Sequence, residues 1–128
     1  MDALELQARL KHFAHRIEPL CESLPSKKIC KIIEDQLLQS PFSAAVNYRS
    51  ACKAQSAKSF TAKLSIAFEE IDEALFWLEV ISELKFLKED KMTLILKEAD
   101  ELTRILASSR KTSQKKIRSY YSIFNLKY

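Results

Sequence analysis

Basic side chains interleaved with aromatic rings give the last part of this chain the clearest potential for binding chemistry. Residues 110–128 carry six cations and no acid, and they also carry three tyrosines and a phenylalanine; the cations are Arg110, Lys111, Lys115, Lys116, Arg118 and Lys127. Cationic side chains bind phosphates, and aromatic rings stack on exposed bases. The segment therefore predicts salt-dependent binding to nucleic acid with little sequence specificity. A tail that solubilises the protein, or that straps subunits together, explains the same composition.

A second stretch, residues 36–68, also contains cations and no acid; these cations are Arg49, Lys53, Lys58 and Lys63. Arg49 and Lys53 are four residues apart, so they share a face if the chain is helical there and can contact one phosphate strand. The plainer interpretation is a set of lysines that keeps a helical surface soluble.

Acidic and histidine side chains offer the alternative of metal chemistry. The acids Glu69, Glu70, Asp72 and Glu73 cluster within one predicted helix, and His12 and His15 share a face of another. Helical bundles that hold two metals use inward-facing Glu-x-x-His motifs, and the sequence contains none. No serine lies in a nucleophile elbow or beside a predicted base. We therefore expect no enzyme activity, no metal and no cofactor, and we interpret the acidic run as a solvated face or as partners for basic residues.

Composition excludes several further classes of function. The chain has 128 residues, 47% of them apolar, and no glycine, so it lacks the residue that phosphate-binding loops and dinucleotide fingerprints require. Three cysteines without a C-x-x-C pair predict reduced thiols and a cytoplasmic location. No apolar run reaches the roughly 18–20 residues that span a bilayer, so we expect no membrane segment.

Apolar residues at spacings of three and four predict four helices, at about residues 2–23, 26–51, 57–84 and 89–109. Pro19 predicts a kink or an early end of helix one, and Pro41 predicts a bend or a break in helix two. Short connections favour antiparallel neighbours. The fold class is therefore all-α: an antiparallel up-down-up-down four-helix bundle over residues 1–110. A basic aromatic tail follows over residues 111–128, and we expect a partner to order it.

Two further residues are candidates for structural or interface roles. Asn47 follows Ala44 on the apolar stripe of helix two, so we expect a buried amide with backbone or neighbouring-helix partners. Trp77 belongs to a second apolar line on helix three, together with Ile66, Val80 and Leu84. That line predicts a subunit interface, and packing between two neighbouring helices of one chain explains it nearly as well.

Several ordered stretches in the middle of the chain resemble a known family. Those stretches are residues 36–43, 45–56, 60–66, 69–73 and 76–79. They are similar to four-helix-bundle proteins first noticed in intervening sequences of 23S ribosomal RNA genes, and the resemblance covers about residues 10–110. This chain has Pro41 where the family usually has glycine.

The resemblance implies a small antiparallel bundle that assembles into a ring, typically a pentamer. Accessory proteins of diversity-generating reverse transcriptases are similar in fold, and they are basic pentamers that bind nucleic acid and the polymerase. The implied partners are therefore other copies of the chain, RNA or DNA, and a reverse transcriptase or another protein.

These observations lead to one functional hypothesis and one alternative. We expect a non-enzymatic, cytoplasmic homo-oligomer that binds RNA or DNA through the cations of residues 49–63 and of the tail. The alternative is a scaffold that binds other proteins through Trp77 and the helix-three stripe, without nucleic acid.

Overall fold

The computed structural model describes residues 1–127, and it confirms the all-α fold class as a four-helix bundle. The helices are α1 (Ala3–Glu22), α2 (Lys28–Cys52), α3 (Ala57–Glu83) and α4 (Glu89–Ile123). Among the described residues there is no strand.

Side-chain caps begin two of the helices. Asp2 Oδ1 accepts a hydrogen bond of 2.8 Å from the Glu5 amide at the start of α1, and Ser56 Oγ accepts one of 3.0 Å from the Ser59 amide at the start of α3. Each bond satisfies a backbone donor that the first helical turn leaves unpaired. Helices α2 and α4 begin without a side-chain cap.

The core follows most of the apolar stripes that the sequence predicts, but Ile29 and Ile32, which were expected on the inner side of α2, are 39% and 50% exposed. The large side chains that are fully buried come from all four helices and include Leu10, Phe13, Ile17, Ile33, Leu37, Leu64, Ile71, Leu78, Ile81, Met92, Leu102 and Leu106. The polar residues between the stripes stay on the outside, so burial of these faces holds the helices together.

Neither proline breaks its helix. Helix α1 continues past Pro19 to Glu22, and α2 runs through Pro41 without interruption. The early end at Pro19 and the break at Pro41 were therefore wrong, and the kink or bend that each proline also predicts stays a prediction. Pro41 is buried, and the apolar contact of its ring offsets the backbone hydrogen bond that proline cannot make.

A residue with a positive φ follows the C-terminal end of helix α3. Leu84 is the C-cap, Lys85 has φ 58°, and the Phe86 amide donates a 3.1 Å hydrogen bond to the Ile81 carbonyl. This is a Schellman motif, in which glycine is the usual residue at the left-handed position. Because the chain has no glycine, lysine occupies that position and bears the steric cost.

Helix α4 is much longer than the sequence pattern predicts. We expected it to end near Ser109, with a tail ordered only by a partner, and this end was wrong: the helix continues to Ile123. Ser113 and Ile117 are buried, so the extension packs on the rest of the chain. At about 1.5 Å per residue its 35 residues span about 52 Å.

The helices contact one another in a closed order, in which α2 packs on α1 and α3, and α4 packs on α3 and α1. Contacts between α3 and α4 join Lys58 to Tyr121, Thr61 to Ser113 and Phe68 to Arg110. The residue numbers of these contacts rise along α3 and fall along α4, so the two helices are antiparallel. Connections of four or five residues join the other consecutive helices, and long helices joined so closely lie antiparallel.

An ion pair joins the first and last helices. Arg9 donates from Nη2 to Glu98 Oε1 at 2.6 Å and from Nε to Glu98 Oε2 at 3.0 Å, and Glu101 Oε2 lies 3.3 Å from Nη2. Within residues 1–127 no helix is long and apolar enough to cross a membrane.

Candidate nucleic-acid interface

The antiparallel topology gathers the two basic stretches at one end of the bundle. Arg49 and Lys53 lie at the end of α2, Lys58 and Lys63 in the first turns of α3, and the remaining cations in the second half of α4. The end of α2, the start of α3 and the end of α4 lie together because the neighbouring helices are antiparallel. We call this region, residues 49–63 and 110–118, the basic end.

Most predicted cations at the basic end project into solvent. Those that are exposed are Arg49, Lys53, Lys58, Lys63, Lys111, Lys115, Lys116 and Arg118. Arg110 is the exception: it is half-buried, and its guanidinium lies 4.3 Å from the centre of the Phe68 ring. This cation–π contact stabilises the packing of α4 on α3.

A groove of about 660 Å³ opens at the basic end, between the α2–α3 connection and the second half of α4. Five of its ten lining residues bear a hydroxyl group and one is a lysine; the ten are Ala54, Gln55, Ser56, Ala57, Phe60, Ser108, Ser109, Thr112, Ser113 and Lys116. Hydroxyl groups both donate and accept hydrogen bonds. Among residues 1–127 no acid lines the groove, so its chemistry suits a bound phosphate group.

A hydrogen bond between two hydroxyl groups fixes one wall of this groove. Thr61 Oγ1 donates to the Ala57 carbonyl at 2.9 Å and also hydrogen-bonds to Ser113 Oγ. Because the single Thr61 proton is used on Ala57, Ser113 donates to Thr61. Lys58 Nζ lies 5.7 Å from the centre of the Tyr121 ring, which places a cation from α3 beside the aromatic end of α4.

Among the described residues, acids come near the basic end at the start of α1 and at Glu69 and Glu70, which follow the Phe68 ring that Arg110 contacts. Asp2 and Glu5 lie in the cap and first turn of α1. Burial raises the pKa of the Tyr48 phenol to about 12, with smaller contributions from Cys52 and then from the charge of Asp2. Cations therefore outnumber acids at this end.

Comparison with known proteins decides the family. Residues 2–108 match the family described as 23S rRNA-intervening sequence protein. This chain belongs to that family. The resemblance inferred from the sequence is thereby confirmed, and the match ends before most of the cations of α4.

A solved structure from Bacteroides thetaiotaomicron has a similar fold. It is a protein of unknown function from the S23 ribosomal protein family, 29% identical to this chain, with a TM-score of 0.76. The alignment covers 87% of this chain and 99% of the other. No curated protein matches the sequence significantly.

Asn47 and Trp77, the predicted structural positions of this family member, are both half-buried. Asn47 Nδ2 donates to the Ser43 carbonyl at 2.9 Å, one turn earlier on its own helix. Trp77 packs against the core, so packing within one chain accounts for part of the second stripe. Its indole Nε1 is buried and has no hydrogen-bond partner among the described residues.

The acidic run of α3 lies at the surface. Glu69 and Asp72 are exposed, and Glu70 and Glu73 are half-buried. Burial, together with the neighbouring charges of Glu73 and Glu69, raises the pKa of Glu70.

His12 and His15 are both exposed, and His15 contacts Phe42 edge-on, with 5.6 Å between the ring centres. Within the described residues no cluster of histidine, cysteine or acidic side chains has metal-binding geometry.

All three cysteines are free. Burial, helped by the charges of Glu34 and Glu18, raises the pKa of the Cys21 thiol to about 12. A thiol with that pKa stays protonated at neutral pH and is a poor nucleophile.

The sequence pattern missed the buried contact between Thr61 and Ser113, because two hydroxyl residues at core positions look like surface residues. A signal was present nonetheless. Leu106, Arg110, Ser113, Ile117 and Tyr121 continue the spacing of three and four beyond Ser109, and each of them is at least half-buried.

Proposed function

We propose that this protein is a non-enzymatic, cytoplasmic homo-oligomer, a pentamer by its resemblance, that binds RNA or DNA through its basic end. One observation supports this most strongly: cations from separate parts of the sequence lie at one end of the bundle, where Lys116 and five hydroxyl-bearing residues line a groove.

Phosphate contacts supply the affinity. Lys58 on α3 and Lys111, Lys115 and Lys116 on α4 are exposed at the basic end, so they can neutralise successive phosphates and release counterions. Ser108, Ser109 and Thr112 line the groove, and their hydroxyls suit hydrogen bonds to phosphate oxygens.

Aromatic rings add stacking contacts that do not depend on the base sequence of the nucleic acid. Tyr120 is 55% exposed and Phe124 is 60% exposed, and their ring centres lie 4.9 Å apart. Exposed rings beside a basic groove stack on unpaired bases, which favours single-stranded nucleic acid. In an oligomer, several basic ends act together and raise the apparent affinity.

Charge reversal on α4 tests the proposal. The variant Lys111→Glu/Lys115→Glu/Lys116→Glu should bind a labelled single-stranded RNA at least about tenfold more weakly than the wild type at low salt, by fluorescence anisotropy.

The matched control reverses three exposed lysines at the opposite end, as Lys28→Glu/Lys31→Glu/Lys91→Glu. It makes the same change in net charge and should retain most of the wild-type affinity. Equal losses in the two variants would show that only net charge matters. Absence of binding by the wild type at about 50 mM salt would refute the proposal.

The alternative is a scaffold for another protein, such as a reverse transcriptase. The exposed ring of Phe76, 54% accessible on α3, favours this interpretation. Capture of a reverse transcriptase by the wild-type protein, with RNA binding unaffected by the α4 reversals, would favour the scaffold.

A further inference from the structure

An apolar groove between α1 and α2 lies outside the groove of the basic end. Its volume is about 530 Å³. Leu4 is 75% exposed, Val46 63% and Phe42 37%, and all three line it. Contiguous apolar surface in contact with water is unfavourable and is typical of a docking surface.

The rim of this groove is basic. Lys11 from α1 and Arg49 and Lys53 from α2 line it and are exposed. The other described residues that line it are Gln7, Ala8 and Ala45, so none of the described lining residues is an acid that offsets these charges. An occupant with apolar and acidic side chains would match both the walls and the rim.

The outer surface of α3 has the complementary composition. Phe76 is 54% exposed and Ile66 39% exposed. Six acids and no base lie between residues 64 and 84: Glu69, Glu70, Asp72, Glu73, Glu79 and Glu83. Phe76 packs edge-on against Trp77 with 5.0 Å between the ring centres, so the projecting ring is already held in place. We call this the acidic face of α3.

We propose that the acidic face of α3 docks into the α1–α2 groove of a second copy of this chain. Phe76 enters the apolar groove, and the acids around it meet Lys11, Arg49 and Lys53 of the other copy. The inference rests on the homo-oligomer in the proposed function and assigns surfaces to its subunit contact.

The order of the helices sets the symmetry of this contact. Helix α3 packs on α2 and α4, so its outer surface and the α1–α2 groove belong to different sides of the bundle. Two different patches meet at each contact, which makes the contact heterologous, and such contacts repeat from copy to copy until a ring closes.

The contact also divides the cations into two groups. The contact takes Arg49 and Lys53 of the basic end, so the proposed nucleic-acid binding rests on the remaining cations of that end. Lys58 and the lysines of α4 remain for nucleic acid. Assembly and nucleic-acid binding therefore depend on different residues and can be lost separately.

A charge-swap experiment tests the contact. The groove variant Lys11→Glu/Arg49→Glu and the face variant Glu69→Lys/Asp72→Lys place like charges opposite each other. Each should associate at least about 100-fold more weakly than the wild type, and light scattering after size exclusion should show a shift towards monomer. Far-UV circular dichroism checks that each variant keeps its helices.

Restoration of assembly is the decisive part. A chain with all four substitutions again has opposite charges at the contact, so it should recover the wild-type mass. A mixture of the groove and face variants should also assemble. A monomeric wild type, single variants that keep the wild-type mass, or no recovery in the four-fold variant would each overturn the proposal.

The variant Lys111→Glu/Lys115→Glu/Lys116→Glu separates this inference from nucleic-acid binding, because it should keep the wild-type mass. Normal assembly of the wild type without RNA binding would refute the nucleic-acid proposal and leave the subunit contact standing.

Discussion

At the scale of single residues, the cost of a chain without glycine is concentrated at Lys85. Its φ of 58° is a left-handed conformation that a β-carbon disfavours. Asn125, with φ 55°, occupies the equivalent position after α4, and asparagine tolerates that region better than lysine does.

We predict that Lys85→Gly stabilises the protein by about 1 kcal/mol, because glycine removes the steric cost at that φ. Urea denaturation followed by circular dichroism measures the change. The control Lys97→Gly lies at an exposed position inside α4 and should destabilise by about 1 kcal/mol. A destabilising Lys85→Gly would contradict the Schellman geometry.

At the scale of helices, the ion pair of Arg9 with Glu98 links α1 to α4. Hydrogen bonds from Arg9 are the main cause of the lowered pKa of Glu98, whose ordinary value is 4.5. The folded protein therefore binds that proton less readily than the unfolded chain. The ion pair therefore stabilises the protein fully at pH values above 4.5. This stabilisation is lost as the pH falls through the lowered pKa of Glu98.

Glu98→Gln should therefore cost about 1 kcal/mol near neutral pH, and less in acid. Urea denaturation over a range of pH measures both effects. The control Asp100→Asn removes the pair with Arg104, whose side chain is 80% exposed, and should cost less than about 0.5 kcal/mol. Equal costs for the two variants at every pH would contradict this account.

The second half of α4 depends on Ile117, which is 4% exposed. Ile117→Ala should destabilise the protein by about 2 kcal/mol or more, because it leaves a cavity under the helix. Ile123→Ala, at a position that is 75% exposed, should change stability by less than about 0.5 kcal/mol. If thermal denaturation showed equally small changes in stability for the two variants, residues 111–123 would not pack on the bundle.

Helix α4 also shows how far the sequence could predict this fold. The apolar stripes were sufficient for four helices and for most of the core. They failed after Ser109, because Arg110 and Ser113 occupy inward positions and break the apolar pattern. Arg110 is accommodated by stacking on Phe68, and Ser113 by its hydrogen bond to Thr61. Such compensation depends on the neighbouring helix, and a stripe on one helix does not reveal it.

The candidate site was only partly predictable for a related reason. The basic residues were evident from their composition, but their meeting at one end depends on which helix ends adjoin. The hydroxyl-lined groove arises from residues 54–60 and 108–116 together, and neither segment is distinctive in the sequence alone.

At the scale of the whole molecule, charge is divided between surfaces. The basic end carries nine of the 21 lysines and arginines and no acid, and residues 69–83 of α3 carry six acids and no base. This division allows one surface to meet phosphate while another meets a basic subunit. The net charge of the whole chain, +4, does not reveal this division of charge between surfaces.

The measurement that tests the central claim most directly is size exclusion with light scattering on the protein mixed with single-stranded RNA of about 20 nucleotides at about 50 mM salt. Absorbance at 260 and 280 nm on the same peak reports both components. We predict one peak with the mass of several chains plus RNA, which separates into protein and free RNA as the salt concentration rises. RNA that elutes apart from the protein at low salt would contradict the account.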